Sequence, residues 1–538
     1  MTRLFPVSSK RNIQSLDGFW EFEANGYTKN MYVPSCWNVT LGLLTYRGTA
    51  TYQKTFTFEG GNLWLSFGGV LSKADVYLDG VYWGSHDGGY TAFTLEKEHV
   101  LPGKHTLTVT VNNQANHETI PSSHMDWFFY GGIFRRVEYA SLPPVHFVDH
   151  KFSYTLSDDL SLASLHVHGK LSQDANVPFA VYLEGKKVFE GTSQQGDCVA
   201  QFSLEHPRLW DIGKGELYTL SIETDEDDVV ERIGFRSIRI QNRKVLLNNR
   251  EIFLKGINRH EDHPDFGHAV PAGLMQRDID IVLDMGCNTI RGSHYPNSRL
   301  FMDMLDEQGI LFWCEIPMWG VKKTPLITDA LYQRGVAFHR EMVHQYYHHP
   351  SIILWGLHNE IDAQSQQARE LTQGFRAEIE AYDTSRLITF ATDHPAECTY
   401  LDLCDIICMN LYFGWYGGDM RAWPGFIKDF RQKMKDEGLE DKPIMISEFG
   451  AAGLYGHHTF DNIKWTEEYQ ANLIAEELNT FFGEEEIVGT YVWHFADART
   501  SIQATDRARG FNNKGMLNEY RKPKAAYFSV KNAYRNQS

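Results

Sequence analysis

The chain has 538 residues, of which 42% are hydrophobic and 22% charged, so it is long enough for several domains and too apolar to be disordered. Its formal net charge of -18 disfavours nucleic acid and anionic membranes as partners, because both require basic surfaces. An acidic small molecule is compatible with this charge, since salt screens distant charges and a local group of cations can bind one carboxylate.

The seven cysteines, an odd number scattered from Cys36 to Cys408, do not form the pattern of a disulfide framework, and reduced thiols are expected. The N-terminal segment MTRLFPVSSKRNIQSL has no apolar signal-peptide core, and no uncharged run approaches the length of a membrane span. We therefore predict a cytoplasmic protein that binds neither membranes nor nucleic acid.

Residues 1–143 are predicted to form an all-β domain. Short alternating strands such as TYQKTFTF and HTLTVTVNN are separated by glycine and asparagine turns, which is typical of a sandwich or jelly roll. Two consecutive prolines, Pro143 and Pro144, mark its predicted end, since they do not fit inside a sheet. One aromatic segment, MDWFFYGGIFRRV at 125–137, is predicted to leave this domain.

Residues 144–242 contain further strands whose spacing is typical of an immunoglobulin-like sandwich. In residues 243–538, apolar strands alternate with helical segments of ten or more residues, which indicates βα units around a parallel sheet. Eight candidate strands in this length predict a (β/α)8 barrel. The predicted fold is thus a jelly roll, an immunoglobulin-like sandwich and a C-terminal TIM barrel.

Two of the barrel strands end in carboxylates. The apolar run SIILWGLHNE ends in Asn359 and Glu360, and PIMISEFG ends in Glu448 and a glycine. Because the carboxyl ends of barrel strands share one rim, the two glutamates are expected to meet there. Retaining glycosidases need two carboxyl groups about 5–5.5 Å apart, one as proton donor and one as nucleophile. The alternative is that Glu360 caps the following helix.

Polar, aromatic or ionisable residues follow nearly every predicted strand, which favours a substrate pocket over a structural barrel. Metal catalysis is the main competing hypothesis, because the chain has 23 histidines and the run HREMVHQYYHHP at 339–350. That run lacks the zincin spacing, since Glu341 lies second after His339 and His344 lies fifth. Glycine loops for phosphate or dinucleotide binding are also absent from the sequence. We predict no metal and no cofactor.

Five barrel motifs, in chain order, resemble those of glycoside hydrolase family 2, and within it the bacterial β-glucuronidases: NTIRGSHYP, SIILWGLHNE, NLYFGWY, ISEFG and VWHFAD. The two sandwiches are similar to the family's sugar-binding-like and immunoglobulin-like domains. The resemblance implies a retaining exo-glycosidase with Glu448 as nucleophile, Glu360 as general acid/base and Asn359 at the sugar 2-hydroxyl. It also allows a homo-oligomer, a dimer or a tetramer.

The resemblance extends to the substrate. The segment GFNNKG is similar to an Asn-x-Lys motif that binds the substrate carboxylate in β-glucuronidases, which implies this role for Asn512 and Lys514. An ammonium and an amide suit a C6 carboxylate, and Arg507 and Arg509 add positive charge to the same loop. A solvated basic turn is the alternative interpretation of this segment.

Two further matches concern Asp126, similar to a family aspartate that binds sugar hydroxyls, and Tyr412, similar to a family tyrosine near the nucleophile. The predicted substrate-binding residues are Asp126, His294, Asn359, Asn410, Tyr412, Trp493, Arg507, Arg509, Asn512 and Lys514.

The chain differs from the family pattern at Gly292, in the short segment 315–334 and in the loop TSIQATDRARG. The differences in segment 315–334 and in the loop TSIQATDRARG are expected to affect substrate preference. We predict hydrolysis of β-D-glucuronides. A β-galacturonidase, whose substrate has the opposite C4 configuration, and a β-galactosidase, whose substrate lacks the carboxylate, are alternatives. A non-catalytic carbohydrate-binding protein is the alternative from a different class.

Overall fold

The computed structural model of the protein describes residues 3–322, 327–501 and 507–537. These residues form two β-sandwiches followed by a closed parallel barrel, which confirms the predicted fold. None of the helices in these ranges is long and apolar enough to cross a membrane. The seven cysteines all lie within the ranges, and each is buried and free.

The first region consists of antiparallel strands and one 3-10 helix, Trp37–Val39. Its strands are β1 (Gln14–Ser15), β2 (Gly18–Ala24), β3 (Tyr27–Val33), β4 (Thr49–Phe58), β5 (Gly61–Phe67), β6 (Val70–Leu71), β7 (Lys73–Leu78), β8 (Val81–Asp87), β9 (Phe93–Val100), β10 (Gly103–Asn112), β11 (Gly132–Ile133) and β12 (Val137–Leu142). A six-stranded sheet, β3-β2-β4-β10-β7-β8, and a four-stranded sheet, β1-β12-β5-β9, share one core. Alternate residues point into it, as the two-residue period of a half-buried strand requires.

The second region is a smaller sandwich. Its strands are β13 (Phe147–Leu156), β14 (Leu162–Leu171), β15 (Pro178–Leu183), β16 (Lys186–Thr192), β17 (Asp197–Glu205), β18 (Tyr218–Glu223) and β19 (Asp228–Ile233). The sheet β13-β14-β17 packs on the sheet β16-β15-β18-β19, with side chains such as Phe152, Val181 and Leu220 between them. This arrangement is the expected immunoglobulin-like type of sandwich.

A short meander closes one end of the barrel. Its strands are β20 (Ile238–Gln241), β21 (Lys244–Leu247) and β22 (Arg250–Ile252). Val245 and Leu247 share a core with barrel residues such as Leu354 and Tyr491. The predicted boundary between residues 242 and 243 falls in the turn between β20 and β21. The bounds of the three domains stay predictions.

The barrel consists of eight parallel strands whose residues are almost all buried. They are β23 (Leu254–Arg259), β24 (Thr289–Gly292), β25 (Leu311–Glu315), β26 (Ile352–Asn359), β27 (Leu387–Thr392), β28 (Ile407–Asn410), β29 (Ile444–Phe449) and β30 (Ile487–Val492). All eight predicted barrel strands are therefore present. Continuous apolar runs fit this position, because one face meets the barrel interior and the other meets helices.

Local sequence signals start and end several of the described helices around the barrel. They are α1 (Ala272–Asp284), α2 (Arg299–Gln308), α3 (Asp329–Tyr346), α4 (Gln366–Glu380), α5 (Trp423–Asp436), α6 (Glu467–Gly483) and α7 (Ala525–Asn536). Side chains of Thr328, Ser365 and Thr466 accept hydrogen bonds from the first turns of α3, α4 and α6. Helix α2 ends at Gly309 in the left-handed conformation, which glycine adopts without steric cost.

Two short strands, β31 (Ala498–Arg499) and β32 (Phe511–Asn512), lie after the last barrel strand. The aromatic segment 125–137 contacts this part of the chain, since the amide of Phe128 donates to the carbonyl of Arg499 over 3.0 Å. Trp127 and Phe128 belong to the core of the barrel rather than that of the first sandwich. The segment thus leaves its own domain as predicted, and it carries Asp126 to the barrel rim.

Candidate active site

The carboxyl ends of the barrel strands open into a cavity of about 380 Å³. Both the barrel and the first sandwich contribute to its walls. The lining residues are Asp126, Trp127, His260, His294, Trp319, Glu360, Asp393, Asn410, Tyr412, Tyr416, Glu448, Trp493, Ala498, Arg499, Thr500, Arg507, Asn512 and Lys514.

The two strand-end glutamates lie on this one rim, and Asn410 connects them. Asn410 is opposite Glu448 in the β28–β29 ladder, and its Nδ2 donates to Glu360 Oε1 over 2.7 Å. Ser447 orients the amide by donating to Asn410 Oδ1 over 2.7 Å. Glu360 itself has φ +51°, a left-handed conformation that is strained for a residue with a side chain. The alternative that Glu360 caps a helix is wrong, because Ser365 caps α4.

Arg291, at the end of β24, holds Glu448. Its Nη1 donates to Glu448 Oε1 over 2.9 Å, while two other nitrogens donate to the carboxylate of Glu315 over 3.1 Å. The guanidinium is fully buried and packs on the Trp313 ring at 4.2 Å. Tyr412 completes the arrangement by donating from its hydroxyl to Glu448 Oε2 over 2.8 Å. Both oxygens of Glu448 are therefore fixed in position.

The two glutamates differ in charge environment. Burial raises the pKa of Glu360 to about 8, and the negative charges of Glu448 and Asp393 act in the same direction. Burial also raises the pKa of Glu448, to about 7, but Arg291 and the Tyr412 hydroxyl oppose this effect. Glu448 thus loses its proton before Glu360 does. This order suits a nucleophile at Glu448 and a proton donor at Glu360.

Asn359 is oriented by the same arginine. Arg291 Nη2 donates to its Oδ1 over 2.7 Å, and Asn410 Nδ2 donates to the same oxygen over 3.1 Å. Because a guanidinium can only donate, the amide orientation of Asn359 is unambiguous. Its Nδ2 group is buried and has no hydrogen-bond partner among the described residues. It is a buried donor next to Glu360.

His294 and Trp493 form an aromatic side of the cavity. Their rings stack at a centroid distance of 5.2 Å, and Trp127 lies 5.5 Å from the His294 ring. His294 Nδ1 is 2.7 Å from Glu315 Oε1. Burial and the nearby Arg291 charge hold the pKa of His294 well below its usual range, so the ring is neutral. Its Nδ1–H then donates to Glu315.

Another side of the cavity is formed by Asp126 from the first sandwich and by Arg507 and Asn512 from the C-terminal region. Arg507 Nη2 donates to Asp126 Oδ2 over 3.0 Å, and Asn512 Nδ2 lies 3.5 Å from the same oxygen. The Lys514 ammonium is buried and donates to the Tyr416 hydroxyl over 2.7 Å. Burial lowers the pKa of Lys514, and the Asp126 charge is one of the groups that oppose this.

A buried ion pair supports the loop that carries Asn512 and Lys514. Lys524 donates to Asp497 Oδ1 over 2.7 Å and to the carbonyls of Gly453 and Asn513 over 2.7 and 3.0 Å. The backbone amide of Gly515 also donates to Asp497 Oδ1, over 3.0 Å. A Cβ on Gly515 would lie 2.2 Å from the Asp497 nitrogen, so this turn requires glycine. The Asp497–Lys524 pair thus holds the loop at the rim.

Two of the predicted substrate-binding residues do not line the cavity. Asn359 is buried directly before Glu360, and Arg509 is the other. Its guanidinium turns to Glu519, to which Nη1 donates over 2.8 Å, and half of the side chain is exposed. Residues 323–326 and 502–506 belong to the two loops predicted to affect substrate preference, and they lie outside the described residues.

Comparison with known proteins identifies the family. The model for the glycosyl hydrolases family 2 TIM barrel domain matches residues 238–538, more than half of the chain. The models for the family 2 domain and the family 2 sugar binding domain match residues 145–236 and 15–143. The chain belongs to glycosyl hydrolase family 2. It is a glycoside hydrolase, not a non-catalytic carbohydrate-binding protein, and its substrate is a glycoside.

Three similar proteins match over nearly their full length. The chain is 28% identical to a β-glucuronidase of Streptococcus agalactiae, over 97% of this chain and 96% of the relative. A solved family 2 β-galacturonidase of Eisenbergiella tayi, bound to galacturonate, has a TM-score of 0.94 and 32% identity, with 100% of both chains covered. The β-glucuronidase of Ruminococcus gnavus in complex with uronic isofagomine has a TM-score of 0.90 and 28% identity, with 99% of both chains covered.

Among the described residues, two other groups of side chains have the spacing of metal ligands, and Arg3 already pairs with one carboxylate of each. They are His150 with Glu231 and His348, and Asp303 with Asp306 and His349. Arg3 lies 3.1 Å from Glu231 and 2.9 Å from Asp303, and Asp306 is 2.6 Å from His349. The Arg3 ion pairs join the N-terminal segment to the second sandwich through Glu231 and to the barrel through Asp303. The absence of a metal requirement stays a prediction.

Several residues of the family 2 site were not predicted as binding residues. Arg291 and Glu315 lie at the ends of predicted barrel strands, but the ion pairs of Arg291 with Glu315 and Glu448 join three separate strands. Tyr416 belongs to the motif NLYFGWY, and its hydroxyl partner Lys514 is 98 residues away in the chain. Contacts between distant segments of this kind have no local signal in one sequence.

Replacing Lys524 by methionine should destabilise the protein by about 3–5 kcal/mol at pH 8, because the buried Asp497 carboxylate loses its cation. Burial already raises the pKa of Asp497 to about 6, and without Lys524 it should rise further. A raised carboxyl pKa contributes stability at low pH that is lost as the pH increases, so the loss should be smaller at pH 5. Thermal unfolding at both pH values measures this.

The matched control is Lys522→Met, which removes an exposed ammonium two residues away. Equal destabilisation by Lys524→Met at pH 5 and pH 8 would contradict the role of the buried pair.

Proposed function

We propose that the protein is a retaining exo-glycosidase that hydrolyses β-D-glucuronides, with Glu448 as nucleophile and Glu360 as general acid and base. The observation that carries the proposal is a pair of buried carboxyls on one cavity with different partners. Glu448 is bound by the Arg291 cation and the Tyr412 hydroxyl, whereas Glu360 is bound by the Asn410 amide. Such unequal environments separate two carboxyls into acid and nucleophile.

In the first step, the Glu448 carboxylate attacks the anomeric carbon of the bound sugar, and Glu360 donates its proton to the glycosidic oxygen. The bond between the anomeric carbon and that oxygen breaks, the aglycone leaves as an alcohol, and the sugar becomes esterified to Glu448. Glu360 is then a carboxylate. Arg291 and Tyr412 keep Glu448 in one orientation during the attack.

In the second step, the Glu360 carboxylate takes a proton from water, whose oxygen attacks the anomeric carbon and displaces Glu448. Both glutamates return to their starting protonation states. Two inversions at the same carbon retain the β configuration.

The Nδ2 donor of Asn359 is assigned to the sugar 2-hydroxyl, next to the anomeric carbon. A buried donor without a partner costs about 1–3 kcal/mol, which a substrate hydroxyl recovers on binding. Hydrogen bonds to this hydroxyl strengthen in the transition state of glycoside hydrolysis. Arg291 therefore orients two groups of the site, the Glu448 carboxylate and the Asn359 amide.

Lys514 and Asn512 are assigned to the C6 carboxylate of a uronide. The Lys514 ammonium is almost fully buried, and within the described residues it donates a hydrogen bond to a neutral group, the Tyr416 hydroxyl. A uronate carboxylate supplies the missing negative charge. A galactoside has no such charge and leaves the ammonium unpaired. Arg507 and Asp126 extend the same polar wall toward the sugar hydroxyls.

Hydrolysis of β-galacturonides is the second candidate, because one of the similar solved structures is a β-galacturonidase. A galacturonide carries the same carboxylate and differs in the configuration at C4. The proposed roles of Glu448, Glu360 and Lys514 are the same for both substrates.

Replacing Glu448 by glutamine should lower kcat on an aryl β-glucuronide by roughly a thousandfold or more, because the amide is a poor nucleophile. Binding of glucuronate should persist, since Lys514 and Asn359 are unchanged, and calorimetry measures it. The matched control is Glu397→Gln at an exposed position. A fully active Glu448→Gln variant would refute the assignment of the nucleophile.

The pH dependence of kcat/KM should be bell-shaped. Activity rises through about pH 7, because Glu448 must lose its proton to attack, and falls above about pH 8, because Glu360 must keep its proton to donate it. Initial rates of the wild-type protein between pH 5 and pH 10 measure both limbs. Constant activity above pH 9 would exclude Glu360 as the proton donor.

A further inference from the structure

A lysine and an aspartate flank Glu360 on the side away from Asn410. Lys322 Nζ lies 2.6 Å from Asp393 Oδ1 and 3.9 Å from Glu360 Oε2. Lys322 follows β25, Glu360 follows β26 and Asp393 follows β27, so three consecutive strand ends meet here. Neither Lys322 nor Asp393 was predicted as a site residue from the sequence.

The two oxygens of Glu360 have different neighbours. Oε1 accepts a hydrogen bond from Asn410 Nδ2 over 2.7 Å, whereas Oε2 faces the Lys322 ammonium. Among the described residues, the other charged groups that influence this carboxyl are Glu448, from β29, and Asp393. Tyr412, which follows β28, is within electrostatic range of both glutamates.

Lys322 is shared unequally between two carboxyls. It is in direct contact with Asp393 but more than 1 Å farther from Glu360. Asp393 is also 2.9 Å from Nδ1 of the exposed His394. The Lys322 side chain is 39% exposed, so its long stem can change conformation at the rim without disturbing the core.

We propose that Lys322 and Asp393 are positioning residues for Glu360, with the ammonium moving between the two carboxyls as Glu360 loses and regains its proton. This inference rests on the proposed function, in which Glu360 is the general acid and base. It adds residues that act through Glu360 and do not touch the reacting atoms.

The exchange follows the two steps of hydrolysis. While Glu360 is protonated it is neutral, and Lys322 stays with Asp393. When the proton has passed to the leaving oxygen, the Glu360 carboxylate attracts the ammonium and Lys322 moves toward Oε2. When Glu360 takes a proton from water, the attraction ends and Lys322 returns to Asp393. Every proton in this sequence moves between Glu360, the leaving oxygen and water, and Lys322 keeps its own.

The two partners act on Glu360 with opposite sign. Lys322 lowers the pKa of Glu360, and Asp393 raises it. Lys322→Met should therefore move the alkaline limb of kcat/KM to higher pH, by roughly half a pH unit or more. Asp393→Asn should move the limb to lower pH, because one negative charge is removed and Lys322 loses its competing partner.

The experiment compares pH profiles of kcat/KM for the wild type, Lys322→Met, Asp393→Asn and the double variant. The double variant should lie between the two single variants. Lys433→Met is the matched control, since it removes a lysine from an ion pair with Glu437 on the outside of the barrel. A structural role alone would lower activity in both single variants without opposite movements of the limb.

A second readout needs no turnover. In protein labelled with ¹³C at the glutamate carboxyls, the Glu360 resonance is assigned by its loss in Glu360→Gln, and its titration midpoint is followed in each variant. Midpoints that move in opposite directions in Lys322→Met and Asp393→Asn support the proposal. Midpoints that stay at the wild-type value, or move in the same direction, overturn it.

The two readouts separate this inference from the proposed function. If the wild type cleaves no β-glucuronide, the proposed function fails, and the resonance titration still decides whether the two residues control the Glu360 proton. If the wild type is active and neither the limb nor the resonance responds, only the inference fails.

Discussion

The buried guanidinium of Arg291 is the interaction on which the active site depends. Placing a cation in the barrel interior costs several kcal/mol unless anions and acceptors surround it, and here Glu315, Glu448 and Asn359 do so. The same contacts leave each partner with one orientation. Glu448 lines the cavity in a fixed orientation, and Asn359 keeps its amide nitrogen free of hydrogen bonds to the described residues. One buried charge therefore preorganises both the proposed nucleophile and a proposed substrate contact.

The remaining groups of the cavity come from outside the barrel strands. Asp126 reaches the rim because an aromatic segment of the first sandwich packs into the barrel core. Asn512 and Lys514 reach it because the Asp497–Lys524 pair supports their loop. The barrel thus supplies the carboxyls, and the added segments supply groups suited to recognise a uronide. This division is common in barrel enzymes, whose loops vary while the strand ends carry the chemistry.

Much of this architecture could be predicted from one sequence, because its signals are local. Apolar runs indicated all eight barrel strands. Glu360 and Glu448 were found because the carboxyl ends of barrel strands share one rim and because the motifs around them resemble those of the family. The contacts of Arg291 and Lys322 could not be predicted, since their partners lie on other strands. Arg509 could not be placed either, since its guanidinium pairs with Glu519 instead of lining the cavity. Charge in a motif does not reveal which way a side chain points.

The most direct test of the account is a set of initial rates on matched aryl β-glucuronide, β-galacturonide and β-galactoside, with Glu448→Gln as the blank. The wild type should cleave a uronide far faster than the galactoside, and Lys514→Met should reduce this preference by roughly a hundredfold, because the buried ammonium no longer meets the C6 carboxylate. The ratio of the two uronides decides the C4 configuration. A wild type that cleaves the galactoside fastest would contradict the uronide assignment.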